Sequence, residues 1–409
     1  MIALFELHEI IDSQRIRLKK LSSGMLRDTQ IKALNTNHAL IISGIRRCGK
    51  STLLRQLFEV DAEKTLHLNF EDPRLAAFEF QDFERISKYA EDNEIVHFYL
   101  DEIQNIPKWE NFVRFKLDEG YKVTLTGSNA SLLSKELGTK LTGRHITKEL
   151  FPFSFTEYLA FTNALRNQDA LTNYLLMGGF PEYIRSEGNV DILTNIFNDI
   201  LLRDIAVRHQ IKQTQVIRSL AVFIVSNSAN KMSANGLRKQ FEIASTSTVN
   251  EYLNYLQDSY LFQSINKFSY SLKSQQVNPK KWYAIDSGLI AVNSKSFTPD
   301  TGRLLETIVY LHLRRSYTEI FYFSEKNECD FVVFKNKAIR LVVQVCFELT
   351  SMNKQREMAG LMEALHFFEC NEGFIITYNQ EDTIRSDEKT IRILPFYKWE
   401  EKLDSTENE

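Results

Sequence analysis

A short apolar run leads straight into a glycine-rich turn and then into a helical pattern, and this order constrains the fold more than any other feature. Residues 38–43 are typical of a buried strand, and the turn at 44–52 fits G-x-x-x-x-G-K-S/T. Glycines let backbone N–H groups curl around phosphate oxygens, and the following helix turns the positive end of its dipole toward the same anion. The order predicts a nucleotide phosphate site in an α/β fold.

The residues of this turn have separate expected roles. The Lys50 ammonium can reach the outer phosphates, and the Ser51 hydroxyl can ligate Mg²⁺. A chance match to a short pattern is the alternative, but the strand before the turn and the helix after it argue against chance. We expect the phosphates of ATP to be bound by Gly44, Ile45, Arg46, Arg47, Cys48, Gly49, Lys50, Ser51 and Thr52.

A second apolar run, residues 95–100, ends in the acidic pair Asp101 and Glu102. Such a run is typical of a parallel strand covered on both faces, and open α/β sheets bind ligands at the carboxyl ends of their strands. An acidic pair alone could equally cap the next helix. Together with the phosphate loop, however, the acidic pair predicts that Asp101 belongs to the Mg²⁺ shell and that Glu102 polarises the attacking water.

Two further apolar runs, residues 65–70 and 122–126, predict additional strands. A strand between the phosphate loop and the acidic pair resembles the additional-strand branch of P-loop ATPases. In that branch a polar residue after the next strand contacts the γ-phosphate or its water. Ser128 and Asn129 are both candidates, and either would also fit a helix N-cap.

Five segments in this order and spacing resemble the prokaryotic AAA-type ATPases that carry a C-terminal domain of unknown function. They are the phosphate loop, Tyr-Leu-Asp-Glu-Ile-Gln at 99–104, Leu-Thr-Gly-Ser-Asn at 125–129, Leu-Thr-Gly-Arg at 141–144 and Phe-Pro-Phe-Ser-Phe-Thr-Glu at 151–157. Residues 177–182 and 202–205 resemble the short helical lid of the same family. The resemblance implies that Arg144 enters the ATP site of a neighbouring subunit in a homo-oligomer, as an arginine finger.

The chain of 409 residues is too long for one core, since single cores stop growing near roughly 250–300 residues. The resemblance predicts an α/β protein of four parts, led by a P-loop NTPase parallel sheet. These are an AAA-type ATPase core at 1–160, a helical lid at 161–204, a winged helix-turn-helix at 205–290 and an inactive restriction-endonuclease-like module at 291–400.

The segment 205–290 carries a net charge of +6 in a chain whose net charge is −3, which favours phosphate contacts. The expected reading helix at 246–256 contains Glu251 and no Lys or Arg, so direct guanine readout by arginine is absent. Strands expected at 261–267 and 281–285 would pair as a wing, where Lys273, Lys280 and Lys281 could still bind DNA phosphates. DNA binding and a purely structural winged helix remain equally open.

The C-terminal segment is predicted to form a helix at 302–314 and three strands that together resemble a restriction-endonuclease-like fold. Active members place Glu on the helix, Asp on one strand and Glu-x-Lys on the next, so that carboxylates hold a metal ion. Glu306 and Asp330 match, but Gln344 and Cys346 replace the last pair. A neutral amide adds no charge to a hard cation site and a thiol cannot replace an ammonium, so cleavage is not expected.

Four scattered cysteines give no disulfide framework, which favours a reducing, cytoplasmic location. No apolar stretch approaches the roughly 18 residues of a membrane span. The sequence as a whole predicts an ATP-binding, Mg²⁺-dependent AAA-type ATPase with a regulatory role. Its nucleotide state would be coupled to the winged helix and C-terminal module, or to a protein partner. The alternative is an ATP-gated DNA-binding protein, and a metal-dependent nuclease is least favoured.

Overall fold

The computed structural model describes residues 2–20, 24–27, 37–60, 64–128, 143–296 and 300–407. The chain divides into a first unit, Met1–Phe151 with Asp258–Tyr260, and a second unit, Pro152–Gln257 with Leu261–Glu409. The predicted boundaries at residues 160, 204 and 290 stay predictions. Among the described residues, no helix is both long and apolar enough to cross a bilayer.

The first unit is a parallel sheet with helices. Its strands are β1 Ala39–Ser43, β2 Thr65–Asn69, β3 His97–Asp101, β4 Lys122–Gly127 and β5 His145–Glu149, and its helices are α1 Leu4–Lys20, α2 Lys50–Val60, α3 Asp82–Asp92 and α4 Trp109–Asp118. The strand order is β2-β3-β4-β1-β5, and every neighbouring pair is parallel. The four predicted strands are confirmed, with ends that move by up to two residues.

Continuous apolar runs form the inner strands β1 and β3 because these strands are covered on both faces. All five residues of β1 and all five of β3 are buried. Phe83 of α3 stacks on Phe112 of α4 at 4.2 Å in the main core of the unit. Because the strands are parallel, the carboxyl ends of β1, β3 and β4 lie along one edge of the sheet.

The second unit begins with helices and continues into a mixed sheet. Its helices are α5 Phe155–Thr162, α6 Gln168–Met177, α7 Pro181–Arg185, α8 Val190–Asp199, a π-helical segment Ile200–Val207, α9 Thr214–Ser226, α10 Ala234–Gln240, α11 Thr246–Asp258, α12 Leu272–Val277, α13 Ser287–Asn293, α14 Thr301–Ser316, α15 Lys354–Phe367 and α16 Phe396–Glu407. Its strands are β6 Lys231–Met232, β7 Phe262–Lys267, β8 Lys280–Ala284, β9 Glu319–Ser324, β10 Glu328–Lys335, β11 Ala338–Val345, β12 Glu372–Thr377, β13 Asp382–Ser386 and β14 Lys389–Pro395.

One sheet contains strands from both the middle and the C-terminal segments. Its order is β13-β14-β12-β11-β10-β9-β7-β8-β6. The predicted pairing of β7 with β8 is present and antiparallel, with Phe262 opposite Ala284. Strand β7 also pairs in parallel with β9, where Asn266 lies opposite Phe321. The hairpin expected as a wing is therefore hydrogen-bonded to the C-terminal strands, and the winged-helix and nuclease-like assignments stay predictions.

Candidate nucleotide site

The phosphate loop starts at a glycine that no other residue could replace without displacing the backbone. Gly44 has a φ of 154°, and a Cβ added there would lie 2.1 Å from the carbonyl oxygen of Leu150. The approach is close because Leu150 N–H donates to Ser43 O at 2.7 Å, which joins the end of β5 to the end of β1. Gly49 also has a positive φ, 107°. Glycine is needed at Gly44 for space and at both positions for conformation.

Lys50 is the first residue of α2, and its side chain turns back into the loop. The ammonium donates to the carbonyl oxygens of Gly44 at 3.0 Å and Ile45 at 3.1 Å, and it lies 3.8 Å from Glu102 Oε1. Only 4% of the side chain is exposed. Phosphate oxygens carry more negative charge than carbonyl oxygens and would make stronger hydrogen bonds to this group.

The carboxylate of Asp101 is buried at the end of β3 and is fixed by its neighbour strand. The hydroxyl of Thr126 donates to Asp101 Oδ1 and accepts from the Glu102 N–H at 3.1 Å. Asp101 Oδ2 is buried and makes no hydrogen bond of normal geometry within the described part of the chain. Burial, with a smaller contribution from Glu102, raises the pKa of Asp101 to about 6, although Thr126, Ser51 and Lys50 act to lower it.

This pKa gives a stability prediction for protein without nucleotide or Mg²⁺. The pKa of Asp101 is 3.8 in the unfolded chain and about 6 in the folded protein, so the folded protein binds the proton more tightly. The resulting contribution to the free energy of unfolding is fully present below pH 4 and is lost as the pH rises through 6. Asp101→Asn lacks that contribution. Between pH 4 and pH 7 the unfolding free energy of the variant, relative to wild type, should gain up to about 3 kcal/mol. Urea denaturation of both proteins measures it; a pH-independent difference would contradict the assignment.

Glu102 has a left-handed backbone, with a φ of 51°. This conformation is uncommon outside glycine and is concentrated at functional sites. Carboxylate oxygen Oε2 accepts from the side-chain amide of Gln104 and from the Ser128 hydroxyl at 3.3 Å. Ser128 and Glu102 are thus brought into direct contact. Gln104 was missed by the sequence reasoning, although it is the next polar residue after the acidic pair.

Magnesium fits the residues of this edge. Mg²⁺ usually keeps several waters and takes one or two protein oxygens together with substrate phosphates. Ser51 at the start of α2 supplies a hydroxyl, and Asp101 at the end of β3 supplies a carboxylate. The buried oxygen Oδ2 of Asp101 makes no hydrogen bond of normal geometry with the described residues, so it could serve as a ligand.

The remaining loop residues are placed differently from one another. Ile45 and Cys48 are fully buried under the loop, so only their backbone groups could face a phosphate. Burial raises the pKa of the Cys48 thiol, which donates to Leu150 O at 3.4 Å. Arg46 pairs with Glu71 at 3.2 Å, and Arg47 is exposed with a φ of 64°. Thr52 is exposed on α2, and Asn129 lies outside the described residues.

Arg27 is a further contact of the loop that sequence reasoning missed. Its guanidinium donates to Cys48 O at 2.9 Å and to Phe151 O at 2.7 Å, and so connects the phosphate loop to the second residue after β5. A lone arginine outside any motif gives no sequence signal for this role.

Arg144 lies at the opposite edge of the sheet from the phosphate loop. It precedes β5, and its carbonyl accepts from the N–H of Ala39, the first residue of β1. Five residues of strand separate the two edges, which is about 13 Å. The guanidinium pairs with Asp118 Oδ1 at 2.7 Å. Arg144 is therefore placed away from the phosphate loop of its own chain.

Two of the residues singled out in the C-terminal segment, Glu306 and Asp330, meet at a buried lysine. Glu306 Oε1 and Asp330 Oδ1 both accept from Lys281 Nζ, and Gln344 Oε1 accepts from Asp330 N–H at 3.2 Å. Cys346 is buried, with its thiol donating to Glu348 O at 3.2 Å. The expectation that Lys281 is a surface residue of the wing was wrong, because only 4% of its side chain is exposed.

Comparison with known proteins gives two domain matches and relatives that align over most of this chain. Residues 36–159 match an AAA domain, and residues 168–299 match a domain of unknown function (DUF8612). An uncharacterised protein of Methanocaldococcus jannaschii is 32% identical over 425 aligned positions, covering 96% of this chain and 95% of the relative. An uncharacterised protein of Haemophilus influenzae is 32% identical over 347 positions, covering 78% and 85%.

The solved structures that match this chain are more distant. They include AMPPCP-bound DnaA from Aquifex aeolicus (13% identity, 60% of this chain and 86% of that chain, TM-score 0.26) and the RuvB Holliday junction branch migration motor of Thermotoga maritima (14%, 63% and 87%, TM-score 0.29). Cdc6p from Pyrobaculum aerophilum is 12% identical over 75% of this chain and 93% of that chain, with a TM-score of 0.27. TM-scores this low do not identify a substrate.

Proposed function

This chain belongs to the family of these archaeal and bacterial relatives, with an AAA domain followed by a domain of unknown function, and we propose that it binds Mg-ATP and hydrolyses it. The observation that carries the proposal is the meeting of two chain segments at one sheet edge. Lys50 follows β1 and Glu102 follows β3, yet their charged groups lie 3.8 Å apart. One site then contains the phosphate loop, the buried carboxylate of Asp101 and the carboxylate of Glu102, which could orient water.

In the proposed reaction the backbone N–H groups of the loop and the Lys50 ammonium bind the phosphates. Ser51 and Asp101 would hold Mg²⁺, which supplies positive charge to the phosphate oxygens. Glu102 orients the attacking water and accepts its proton. Thr126 fixes Asp101, and Gln104 holds the Glu102 carboxylate in place.

Ser128 is proposed to report the state of the nucleotide. Its hydroxyl donates to Glu102 at 3.3 Å, a long hydrogen bond that a phosphate oxygen could compete for. A change of partner would alter the position of Glu102 and of the end of β4. Asn129 stays the other candidate for this role.

We further propose that ATP binding regulates the second unit or a protein partner. The alternative of DNA binding stays a prediction, and it rested on the net charge of +6 in residues 205–290, with three wing lysines as possible phosphate contacts. Lys281 is removed from that set by burial, while Lys280 is partly buried and burial lowers its pKa. Lys273 is exposed on α12.

Phosphate release from ATP by the purified full-length chain tests the proposal. We expect release in the presence of Mg²⁺, its loss in excess EDTA and its recovery when Mg²⁺ is restored. Asp101→Asn should also lose it while remaining folded by circular dichroism. Release that persists in EDTA at an unchanged rate would contradict the proposed site.

Arg144 leads to a prediction about assembly. Its position at the far edge of the sheet supports action on a neighbouring copy, and its ion pair with the exposed Asp118 is a surface pair worth under about 1 kcal/mol. We expect Arg144→Ala to lower turnover per chain by roughly 10³-fold, the lower end of the effect of arginine fingers, with ATP affinity unchanged. Wild-type turnover per chain should rise with protein concentration.

The matched control is Asp118→Ala, which removes the ion pair and keeps the arginine. Light scattering would be recorded beside the rates. If turnover is independent of concentration and Arg144→Ala behaves like Asp118→Ala, Arg144 has no role in the site of another copy.

A further inference from the structure

Arg27 contacts the backbone of the phosphate loop from outside the motif. Its half-buried guanidinium donates through Nη1 to Cys48 O at 2.9 Å and through Nη2 to Phe151 O at 2.7 Å. One acceptor belongs to the loop and the other to the segment after β5. A planar guanidinium, whose N–H donors form a rigid fork, can satisfy both carbonyls at once.

The second acceptor lies in a segment that is fixed to the sheet. Leu150, the residue before Phe151, donates its N–H to Ser43 O at 2.7 Å at the end of β1, and its carbonyl accepts from the Cys48 thiol at 3.4 Å. Phe151 itself is buried. The guanidinium of Arg27 is therefore anchored at the carboxyl edge of the sheet, and its other donor is presented to the loop from a fixed place.

The contact with Cys48 O sets the direction of the next N–H group of the loop. Cys48 O and Gly49 N–H belong to one planar, trans peptide unit, so they point in opposite directions. Since Arg27 lies on the carbonyl side, the Gly49 N–H points away from it. Gly49 has a φ of 107°, and glycine adopts positive and negative φ about equally. Backbone preference alone therefore does not hold this peptide in one orientation.

Two other carbonyls of the loop have donors of a different kind. Gly44 O accepts from the Lys50 ammonium at 3.0 Å, and the proposed reaction moves this ammonium to the phosphates. Gly49 O accepts from the Leu53 N–H at 2.9 Å, in the first turn of α2. Cys48 O, in contrast, is held by a side chain that the proposed reaction leaves in place.

A phosphate is bound more tightly by N–H groups that already face it, because ordering them during binding costs free energy. We propose that Arg27 is a positioning residue of the phosphate loop: by holding Cys48 O, it keeps the Gly49 N–H directed at the bound phosphates. The role rests on the proposed binding of Mg-ATP. A charged donor at the carbonyl also polarises the peptide, which strengthens the N–H on its other side.

The sequence allows this one peptide to be observed in the full chain. Residues 48–49 are the only place where a glycine follows a cysteine. Protein labelled with carbonyl-¹³C cysteine and ¹⁵N glycine therefore gives a single HNCO signal by NMR, which reports Cys48 C=O and Gly49 N–H together. In wild type we expect Mg-ATP to move the amide proton of this signal downfield, because the N–H gains a charged acceptor.

Arg27→Met keeps much of the side-chain length and removes both donors. We expect its ATP affinity to fall about 10–100-fold, the effect of losing one charged hydrogen bond. Without nucleotide the Cys48 ¹³C resonance should move upfield, since the carbonyl loses its donor, and at saturating Mg-ATP the downfield shift of the amide proton should be lost. Arg27→Lys keeps a charged donor without the fork and should recover part of the affinity and of the shift.

The matched control is Arg17→Met, at an exposed arginine of α1, which should behave as wild type. Equilibrium dialysis separates this role from the proposed function, since wild type that binds no ATP removes both. Wild type that binds ATP without a shift of the Gly49 amide proton overturns the role of Arg27 alone. A folded Arg27→Met protein with normal ATP affinity, or with an unchanged amide shift, overturns it too. If Arg27→Met does not fold, Arg27→Gln, which is too short to hold both carbonyls, takes its place with the same expected losses.

Discussion

Glu102→Gln is expected to lower ATP turnover by about 10²–10³-fold while ATP affinity stays within a few-fold of wild type. The amide has the same shape as the carboxylate but cannot accept the proton of an attacking water. It can still pair with Gln104 and Ser128, so the left-handed turn at Glu102 should be kept. Phosphate release gives the rate, and equilibrium binding of labelled ATP gives the affinity.

The matched control for Glu102→Gln is Glu84→Gln, the same isosteric change at an exposed glutamate of α3. It should leave the rate unchanged. A Glu102→Gln protein that releases phosphate at half the wild-type rate or more would show that another group orients the water.

Lys50→Ala should act on binding itself and weaken ATP affinity by about 10²-fold or more. Charged hydrogen bonds contribute about 1.5–3 kcal/mol each, and 1.4 kcal/mol is tenfold in affinity. The substitution also leaves the buried Glu102 without its nearby positive charge. Lys64→Ala, at an exposed lysine, is the control and should bind ATP normally. Normal ATP affinity in a folded Lys50→Ala protein would contradict the role given to the ammonium.

The core of the site was predictable because its signals are local. The strand before the loop, the two glycines and the lysine lie in one continuous segment, and the acidic pair ends an apolar run. The sheet order follows from the additional strand β2, so Asp101 and Glu102 reach the same edge as Lys50. Parallel strands place their carboxyl ends at the same edge of the sheet, and this brings the two segments together.

The residues that support the site were not predictable, because their partners are distant in sequence. Arg27 reaches Phe151 across 124 positions, and Thr126 reaches Asp101 across 25. No local pattern distinguishes these polar residues from solvated ones. Only the assembled sheet identifies them.

Lys281 illustrates a different limit. Neighbouring residues of a strand face opposite sides, so Lys280 and Lys281 could not both be surface residues of one wing face. The sequence does not say which face is covered. The acids that stabilise Lys281 follow it by 25 to 49 positions and lie on a helix and another strand. Their attraction makes a buried lysine tolerable here.

Equilibrium dialysis of labelled ATP with Mg²⁺ against the folded full-length chain is the most direct test of the central claim. The phosphate loop predicts saturable binding of one ATP per chain, competed by unlabelled ATP and lost in Lys50→Ala. Folded protein that retains no ATP above the free concentration would contradict the assignment of residues 44–52 as a nucleotide site.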